Sequence, residues 1–592
     1  MKPTINILEE RISAAMAAAT GRDDCAAIVR PSTDPQFGDY QANGVMPLAK
    51  KLKTNPCKLA EEVVKILDLG DICEPPEVAG PGFINLRLKP DFLADRLLEI
   101  NKEIAILGID KTAEPKTIVV DFSSPNIAKQ MHVGHLRSTI IGDCICRVLE
   151  CLGHKIIRQN HIGDWGTQFG MLCALLERKA LEAGRRGEMY EIPRELADVE
   201  AFYREAKRLF DSDKEFVVRA QVAVVKLQTG GEIWTNRWRK IVAESEKHYQ
   251  EIYNRLLVTL TDEHIRGESF YNDKLADVVG ELKRNKLTVE SDGAVCVFPE
   301  GFKNKEGQPL PFIIQKSDGA YLYATTDLAA LRYRVNELKA NAIIYVTDAR
   351  QKLHFEMLIA VARMAGWVGD DIELSHVMFG SILGDDGTPL KTRSGENVKL
   401  KELLDEAVER AKTIVEEKNP ELSSDKKEKI AKAVGIGAVK YADYYNNRTS
   451  DYVFSFDKML AMDGNTAPYM QYAYARIKSI ERKAQTKDVD IEDELTGLEA
   501  LSLTEPAELD LAKCLIRYGE AIQAAAADYR PNYLTAYLYE LAQKFSIFYT
   551  NCPVLKAKPG KRPTRLLLCD LTAKTIKHGL SELLGIEVVE QM

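Results

Sequence analysis

Apolar residues recur with a helical period at Ile5, Leu8, Ile12 and Met16, which predicts an amphipathic helix over 5–20, and a second pattern of this kind covers 56–69. GFINLRL at 82–88 alternates instead: Phe83, Asn85 and Arg87 oppose Ile84, Leu86 and Leu88, as in a half-buried strand. Residues 1–110 therefore read as a small α+β domain, followed by the polar hinge DKTAEPK at 110–116. Then the pattern changes. TIVVDFS at 117–123 is the continuous apolar run of a strand covered on both faces. HVGHLRSTIIGDCICRVLECLG at 132–153 returns to helical period, and KIIRQNHIGD at 155–164 reads as strand and turn, completing a βαβ unit.

Charged amphipathic helix patterns dominate about 171–260 and interrupt the α/β alternation as a helical insertion. Alternation resumes with a strand in NAIIYVTDA at 341–349, a helix from His354 to Gly366 and a strand in LSHVMFGS at 374–381. A charge-rich loop, GDDGTPLKTRSGENVKL, leads into two or more helices that read as solvated, and from 456 to 592 the pattern is that of a helical bundle. Three domains are expected: α+β over 1–110, α/β with the insertion over 111–455, and all-α over 456–592.

Composition narrows the class. A length of 592 residues suggests roughly four modules, and 45% apolar with 28% charged residues disfavours disorder and fibrous repeats. The net charge of −8 argues against coating nucleic acid by bulk positive charge, while leaving local basic patches open. Eleven cysteines follow no regular framework and read as reduced thiols of a cytoplasmic protein. No Cys-x-x-Cys or His-Glu-x-x-His array occurs, so no structural metal is expected. Glu9, Glu10 and Arg11 break the run a signal peptide would need, and no apolar stretch of about 20 residues suggests a membrane span.

Three groups of residues carry candidate chemistry. His132 and His135 stand three apart at a helix start, where unpaired backbone amides favour phosphate; Gly134 would let a nucleotide approach the backbone, and Lys129 would reach the same anion. Two surface histidines on a capped helix are the ordinary alternative. Lys391 and Arg393, in the loop Leu390-Lys391-Thr392-Arg393-Ser394-Gly395 after the last strand, would neutralise nucleotide charge, although such a tripeptide can equally be a solvated turn. The third group is acidic and polar: Asp121 and Asn126, Tyr323 and Asp327, and Tyr345, Asp348 and Gln351 at strand ends. A fixed carboxylate there suits the planar donors of a guanidinium, and ordinary surface acids are the plain reading.

DFSSPNIAKQMHVGHLRST closely resembles the arginyl-tRNA synthetases of class I, with His132-Val133-Gly134-His135 matching their HIGH motif. NHIGDWGTQFG, RGESFYND, YATTDLAALRYR, TDARQKLHFEM and DKMLAMDGNTAPYMQYAYARIKS are similar to further segments of that family, and the likeness spans nearly the whole chain. It implies a Rossmann-like catalytic domain, an amino-terminal domain for the outer corner of tRNA where the D loop lies, and a helical anticodon-binding domain. Asn126, Asp121, Tyr323, Asp327 and Gln351 would surround arginine, and His132 and His135 would contact ATP phosphates. The usual KMSKS is replaced by Lys391-Thr392-Arg393-Ser394-Gly395, with Lys129 implied as the substitute for the missing lysine.

Candidate tRNA contacts follow from the same resemblance. Phe37, Tyr40, Gln41 and Asn43 could read an unstacked base, and Tyr469, Tyr472, Tyr474 and Arg476, with Lys556, Lys561, Arg562 and Arg565, would face the anticodon side. The tyrosines fit a helix core equally well. The implied reaction joins arginine to ATP as an adenylate, with Mg2+ carried by the nucleotide, then transfers it to the terminal adenosine of tRNA(Arg). The family also implies a monomer and activation that depends on bound tRNA. Another class I synthetase, or a noncatalytic tRNA-binding paralogue, remains as an alternative.

Overall fold

The first apolar stripe is realised as the helix Thr4–Thr20, which buries Leu8, Ile12 and Met16 and ends at a left-handed Gly21. The computed structural model describes the chain apart from residues 128, 191–195, 229, 392–396 and 488, and apart from the side chains at 196–200 and 228. It forms two compact units: 1–112 with 414–441 and 460–592, and 113–413 with 442–459.

In the first unit, β1 (Val29–Pro31), β2 (Tyr40–Ala42), β3 (Glu77–Ala79) and β4 (Phe83–Leu86) make an antiparallel sheet in the order β1-β2-β4-β3. Only β4 was legible by alternation, because the other three strands span three residues each and show no period. Asn85 breaks the expected alternation: it is buried, its amide oxygen accepting from the Gln41 side chain at 2.9 Å. The second helix stops at Ile66, short of 69, where Leu67 turns extended.

The carboxyl-terminal helices of this unit, Ala467–Gln485, Pro506–Ile516, Tyr518–Asp528, Pro531–Asn551 and Arg562–Lys577, form the expected helical part. Leu511, Leu538, Leu541, Phe545, Phe548 and Leu567 are in its core. One expectation fails here. The helix Ser424–Tyr444 was read as solvated, but Ala431, Val434, Ala438, Val439 and Tyr441 are buried. Even Lys440 is inaccessible, with its ammonium donating to the Gly585 carbonyl at 2.6 Å, so its charge was no sign of exposure.

The second unit holds β5 (Thr117–Asp121), β6 (Lys155–Gln159), β7 (Val289–Ser291), β8 (Ala294–Val297), β9 (Phe312–Gln315), β10 (Ala342–Tyr345), β11 (Glu373–His376), β12 (Ile382–Leu383) and β13 (Tyr452–Val453). Four of these form a parallel sheet in the order β11-β10-β5-β6. The chain leaves β6 on one side of β5 and returns as β10 on the other. That reversal opens a crevice beyond the carboxyl ends of β5 and β10, where Asp121 and Tyr345 are register partners. The helix Val133–Cys151 packs closely on this sheet: a Cβ on Gly142 would lie 2.3 Å from the Cβ of Phe122.

The insertion is helical as expected, with Thr167–Arg185, Leu196–Ser212, Lys214–Gln228 and Glu232–Arg255. A three-stranded antiparallel sheet, β7-β8-β9, was not anticipated. Its strands of three or four residues are too short to display a period, and they fold because Val297, Phe312 and Ile314 share a core with Leu282, Leu328 and Leu358.

Candidate active site

His132 caps the helix Val133–Cys151 from an extended backbone. Its Nδ1 accepts from the Gly134 amide at 3.0 Å, while its own amide donates to Nδ1 of His135 at 3.1 Å. With both Nδ1 atoms accepting, each neutral ring carries its proton on Nε2. Burial, then the nearby charges of Lys129 and Arg350, hold His132 below the usual histidine range; burial and the neighbouring His132 push His135 down to about 3. The pair thus presents two N–H donors without charge, and the charge comes from Lys129 and the exposed Arg350. Gly134 also makes room for imidazole: a Cβ there would lie 2.8 Å from the His132 ring.

The second loop is joined to this cap. Val133 donates to the Val398 carbonyl at 2.9 Å, Leu400 donates to the Met131 carbonyl at 3.0 Å, and Lys391 bridges Asn397. The base of the Lys391 loop is therefore stitched to the His132 segment, with Lys391 exposed. Thr392, Arg393, Ser394 and Gly395 lie outside the described residues.

Asp327 belongs to the helix Tyr323–Asn336. His354 Nε2 is 2.6 Å from one of its oxygens, and His161 Nε2 is 3.5 Å from the other. The exposed Tyr323 ring is 5.0 Å from that of His354, which also stacks on Phe312. Glu268 completes the group. Burial, and then the negative charges of Asp164 and Asp327, push its carboxyl up to about 8. Neither Glu268, His161 nor His354 had been singled out from the sequence; an acid beside Ser269 in an otherwise polar turn gives no periodic signal.

Asn126 belongs to the β5 loop, pairing with Gly163, and Gln351 is exposed after β10 beside Asp348, whose carboxylate is taken up by Arg350 at 2.7 and 2.8 Å. Two residues expected at the arginine, Asp121 and Tyr345, have partners within the protein. Asp121 is buried, with one oxygen accepting from Ser124 at 2.9 Å and the other from Arg334 at 2.7 Å. Arg334 also donates to Gln159 at 2.6 Å and lies over the Tyr345 ring. Tyr345 is likewise buried, its hydroxyl pushed up to about 12 chiefly by burial. Arg334 stands seven residues after Asp327, two turns on in the same helix.

The tRNA candidates separate by accessibility. Phe37 is exposed, Gln41 and Asn43 are half-buried, but Tyr40 is fully buried and donates to Glu520 at 2.8 Å. Tyr469 packs edge-on against Tyr539 and Tyr474 is buried, whereas Arg476 lies over the exposed Tyr472 and bonds its hydroxyl at 3.0 Å. The basic run is largely neutralised: Lys561 pairs with Glu505, Arg562 with Glu494, and the buried Arg565 with Glu508. Lys556 is exposed. Acids contributed by distant helices are invisible to a reading of the run alone.

Family models match along the chain: "Arginyl tRNA synthetase N terminal domain" over 6–88, "tRNA synthetases class I (R), catalytic domain" over 100–456 and "DALR anticodon binding domain" over 470–592. An arginine–tRNA ligase of Escherichia coli O139:H28 is 52% identical over 588 residues, and one of Hahella chejuensis is 50% identical over 586, each comparison covering 99% of both chains. The Plasmodium falciparum arginyl-tRNA synthetase structure superposes with a TM-score of 0.85 at 32% identity, covering 100% of both chains. An imidazole cap at the strand ends, the acids Asp327 and Glu268 near one another, and family models and relatives that match end to end leave one conclusion: the chain belongs to the arginyl-tRNA synthetases of class I.

Proposed function

We propose that Asp327 and Glu268 hold the guanidinium of arginine while His132, His135, Lys129 and Arg350 hold the phosphates of ATP. The chain is an arginine–tRNA ligase, which activates arginine with ATP and charges tRNA. One observation carries the division of the crevice. The charges acting on Glu268 are both negative, so the carboxyl stays protonated until a cation arrives, and a guanidinium supplies that cation with planar donors.

In the first step the arginine carboxylate attacks the α-phosphorus and pyrophosphate leaves. Both partners are anions, so alignment and neutralisation supply most of the acceleration. The two imidazole Nε2–H groups donate to phosphate oxygens, and Lys129 and Arg350 supply positive charge; Lys391 and Arg393 are assigned to the departing pyrophosphate. Tyr323 borders the guanidinium, while Asn126 and Gln351 are placed at the amino-acid end of the substrate. Asp121 and Tyr345 act indirectly, by fixing Arg334 beneath the strand ends. Transfer to the terminal adenosine hydroxyl of tRNA follows, with no covalent enzyme intermediate.

The ATP side offers imidazoles and cations rather than a set of carboxylates, which fits Mg2+ held by the nucleotide's own phosphates. Its bound charge would offset that of the triphosphate. For tRNA, Phe37, Gln41 and Asn43 are assigned to the outer corner, and Tyr472, Arg476 and Lys556 to the anticodon side. The three-domain division at 110 and 455, a monomeric state and a cytoplasmic location complete the proposal. All eleven cysteines are free, and among the described residues no helix is long and apolar enough to cross a membrane.

Charging assayed with each of the twenty amino acids tests the reading. Arginine alone should be accepted, and Asp327→Asn should lower kcat/KM for it by about 100-fold, the size of one charge-assisted contact of about 3 kcal/mol. An unchanged kcat/KM would remove Asp327 from the pocket.

A further inference from the structure

The helix Glu232–Arg255 belongs to the insertion, yet three of its side chains end on the loops that carry the proposed substrate contacts. Trp238, Tyr249 and Tyr253 share a stripe with the buried Val242, Ser245 and Ile252, so a single face of the helix meets the site. Each contact is polar and goes to a different place.

Trp238 donates its indole N–H to the Asp164 carbonyl at 2.7 Å. The Asp164 carboxylate in turn accepts from the amide and hydroxyl of Ser269, the neighbour of Glu268. A Cβ on Gly267 would lie 2.5 Å from that carboxylate, so the turn presenting Glu268 is packed directly on Asp164. Tyr249 reaches the other loop, its buried hydroxyl directed at the carbonyls of Lys129 and Asn126, just before the His132 cap.

Tyr253 lies between them, 2.8 Å from the Ser123 hydroxyl and accepting from Asn160 at 3.1 Å. Ser123 and Ser124 both adopt left-handed backbones, with φ of 68° and 45°. Consecutive residues in that region persist only where their surroundings fix them. Here the fixing groups are Ser138, Thr139, Asn160 and Tyr253.

We propose that the Glu232–Arg255 helix is a strut that sets the two substrate loops separately: Tyr249 is the positioning residue for the Lys129–His135 side, and Trp238 for the Glu268 side. The proposal rests on the assignment of ATP and arginine to those sides. A merely structural helix would loosen both sides together when weakened, whereas this arrangement gives each side chain its own substrate.

The test uses the full-length enzyme with saturating tRNA, measuring KM for ATP and for arginine. Tyr249→Phe, which loses the Lys129 carbonyl and only a longer 3.3 Å contact with that of Asn126, should raise the ATP KM by about five- to tenfold, the size of one lost hydrogen bond, and the arginine KM by no more than about twofold. Trp238→Phe should do the reverse. Tyr253→Phe, whose hydroxyl meets Ser123 on one side and Asn160 on the other, should raise both, and Trp238→Phe carries the test if Tyr249→Phe does not fold. Equal rises in both constants for Tyr249→Phe and Trp238→Phe, or no change in any of the three variants, would overturn the strut. Lys129→Ala and Glu268→Gln separate the two layers of argument. If they fail to weaken ATP and arginine respectively, the site assignment falls; if they succeed while the strut variants do not split, only the strut falls.

Discussion

Glu268 makes arginine binding a proton-linked event with a calculable slope. In the free pocket its carboxyl titrates at about 8, raised by burial and by the charges of Asp164 and Asp327. A guanidinium favours the ionised form, so binding must drive the proton off. At pH 7 roughly nine tenths of the groups are protonated, and the dissociation constant for arginine should therefore tighten by about eightfold between pH 7 and 8.5. Calorimetry in buffers of differing ionisation heat should register the release of nearly one proton per arginine at pH 7. Glu268→Gln should bind more weakly and without that slope. The unliganded protein gives the complementary sign. A carboxyl whose folded-state pKa is raised contributes stability that is complete below its ordinary value of 4.5 and lost as pH climbs through about 8, so the melting temperature of Glu268→Gln should gain on the parent's between pH 5 and 8 and level off above. A dissociation constant flat from pH 7 to 8.5, or an unaltered slope in the variant, would refute the reasoning.

Three further outcomes are expected. Arg334→Met should strand Asp121 as an unpaired buried charge and cost about 3–5 kcal/mol, part of which Asp121→Asn restores; all four tryptophans lie in the second unit, so their fluorescence reports its unfolding. His135→Gln, whose amide can place an N–H near the Nε2 position, should retain far more kcat than His135→Ala, which should lose about 100-fold; equal losses would show that the donor is not what matters. Tyr40→Phe should destabilise the first unit by about 1–3 kcal/mol without altering the KM for tRNA, whereas Phe37→Ala should raise that KM and leave the melting temperature alone.

The elements read from the chain were those whose period outran their ends. The helix Val133–Cys151 and strand β5 carry long apolar patterns, so the sheet and its crevice followed from them. β7, β8 and β9 carry none, and they depend on partners that are remote in the chain. The same division holds in the site. His132 and His135 were legible because capping is local, with both partners within three residues. The fate of Asp121 was not, since the Arg334 that occupies it comes from 213 residues away. Glu268 escaped for a similar reason: its significance is the company of Asp164 and Asp327, which only the fold assembles. The basic residues at 561–565 show the same limit, since a run of charges does not reveal the acids that other helices place against it.

The crevice also distributes its charge in a way that orients the nucleophile. Beneath the strand ends, Asp121 and Arg334 cancel each other and exert little net pull on a ligand. Asp327 carries negative charge, which Glu268 joins once a cation displaces its proton, and Lys129 supplies positive charge beside His132, with Arg350 shared with Asp348. Arginine is a cation at one end and carries the reacting carboxylate at the other, so only one orientation satisfies both sides; the reverse would set its carboxylate against two acids. Guanidinium binding and carboxylate aim are then the same event. Citrulline has nearly the shape of arginine but no charge, and a pocket that merely bound the side chain would admit it with a raised KM and an unchanged kcat. Under the orientation argument kcat falls as well, because the lost charge no longer turns the carboxylate toward the phosphate. Pyrophosphate exchange with saturating citrulline, in the presence of tRNA, separates the two: a kcat equal to that with arginine would mean that the acids bind the side chain without aiming the reaction.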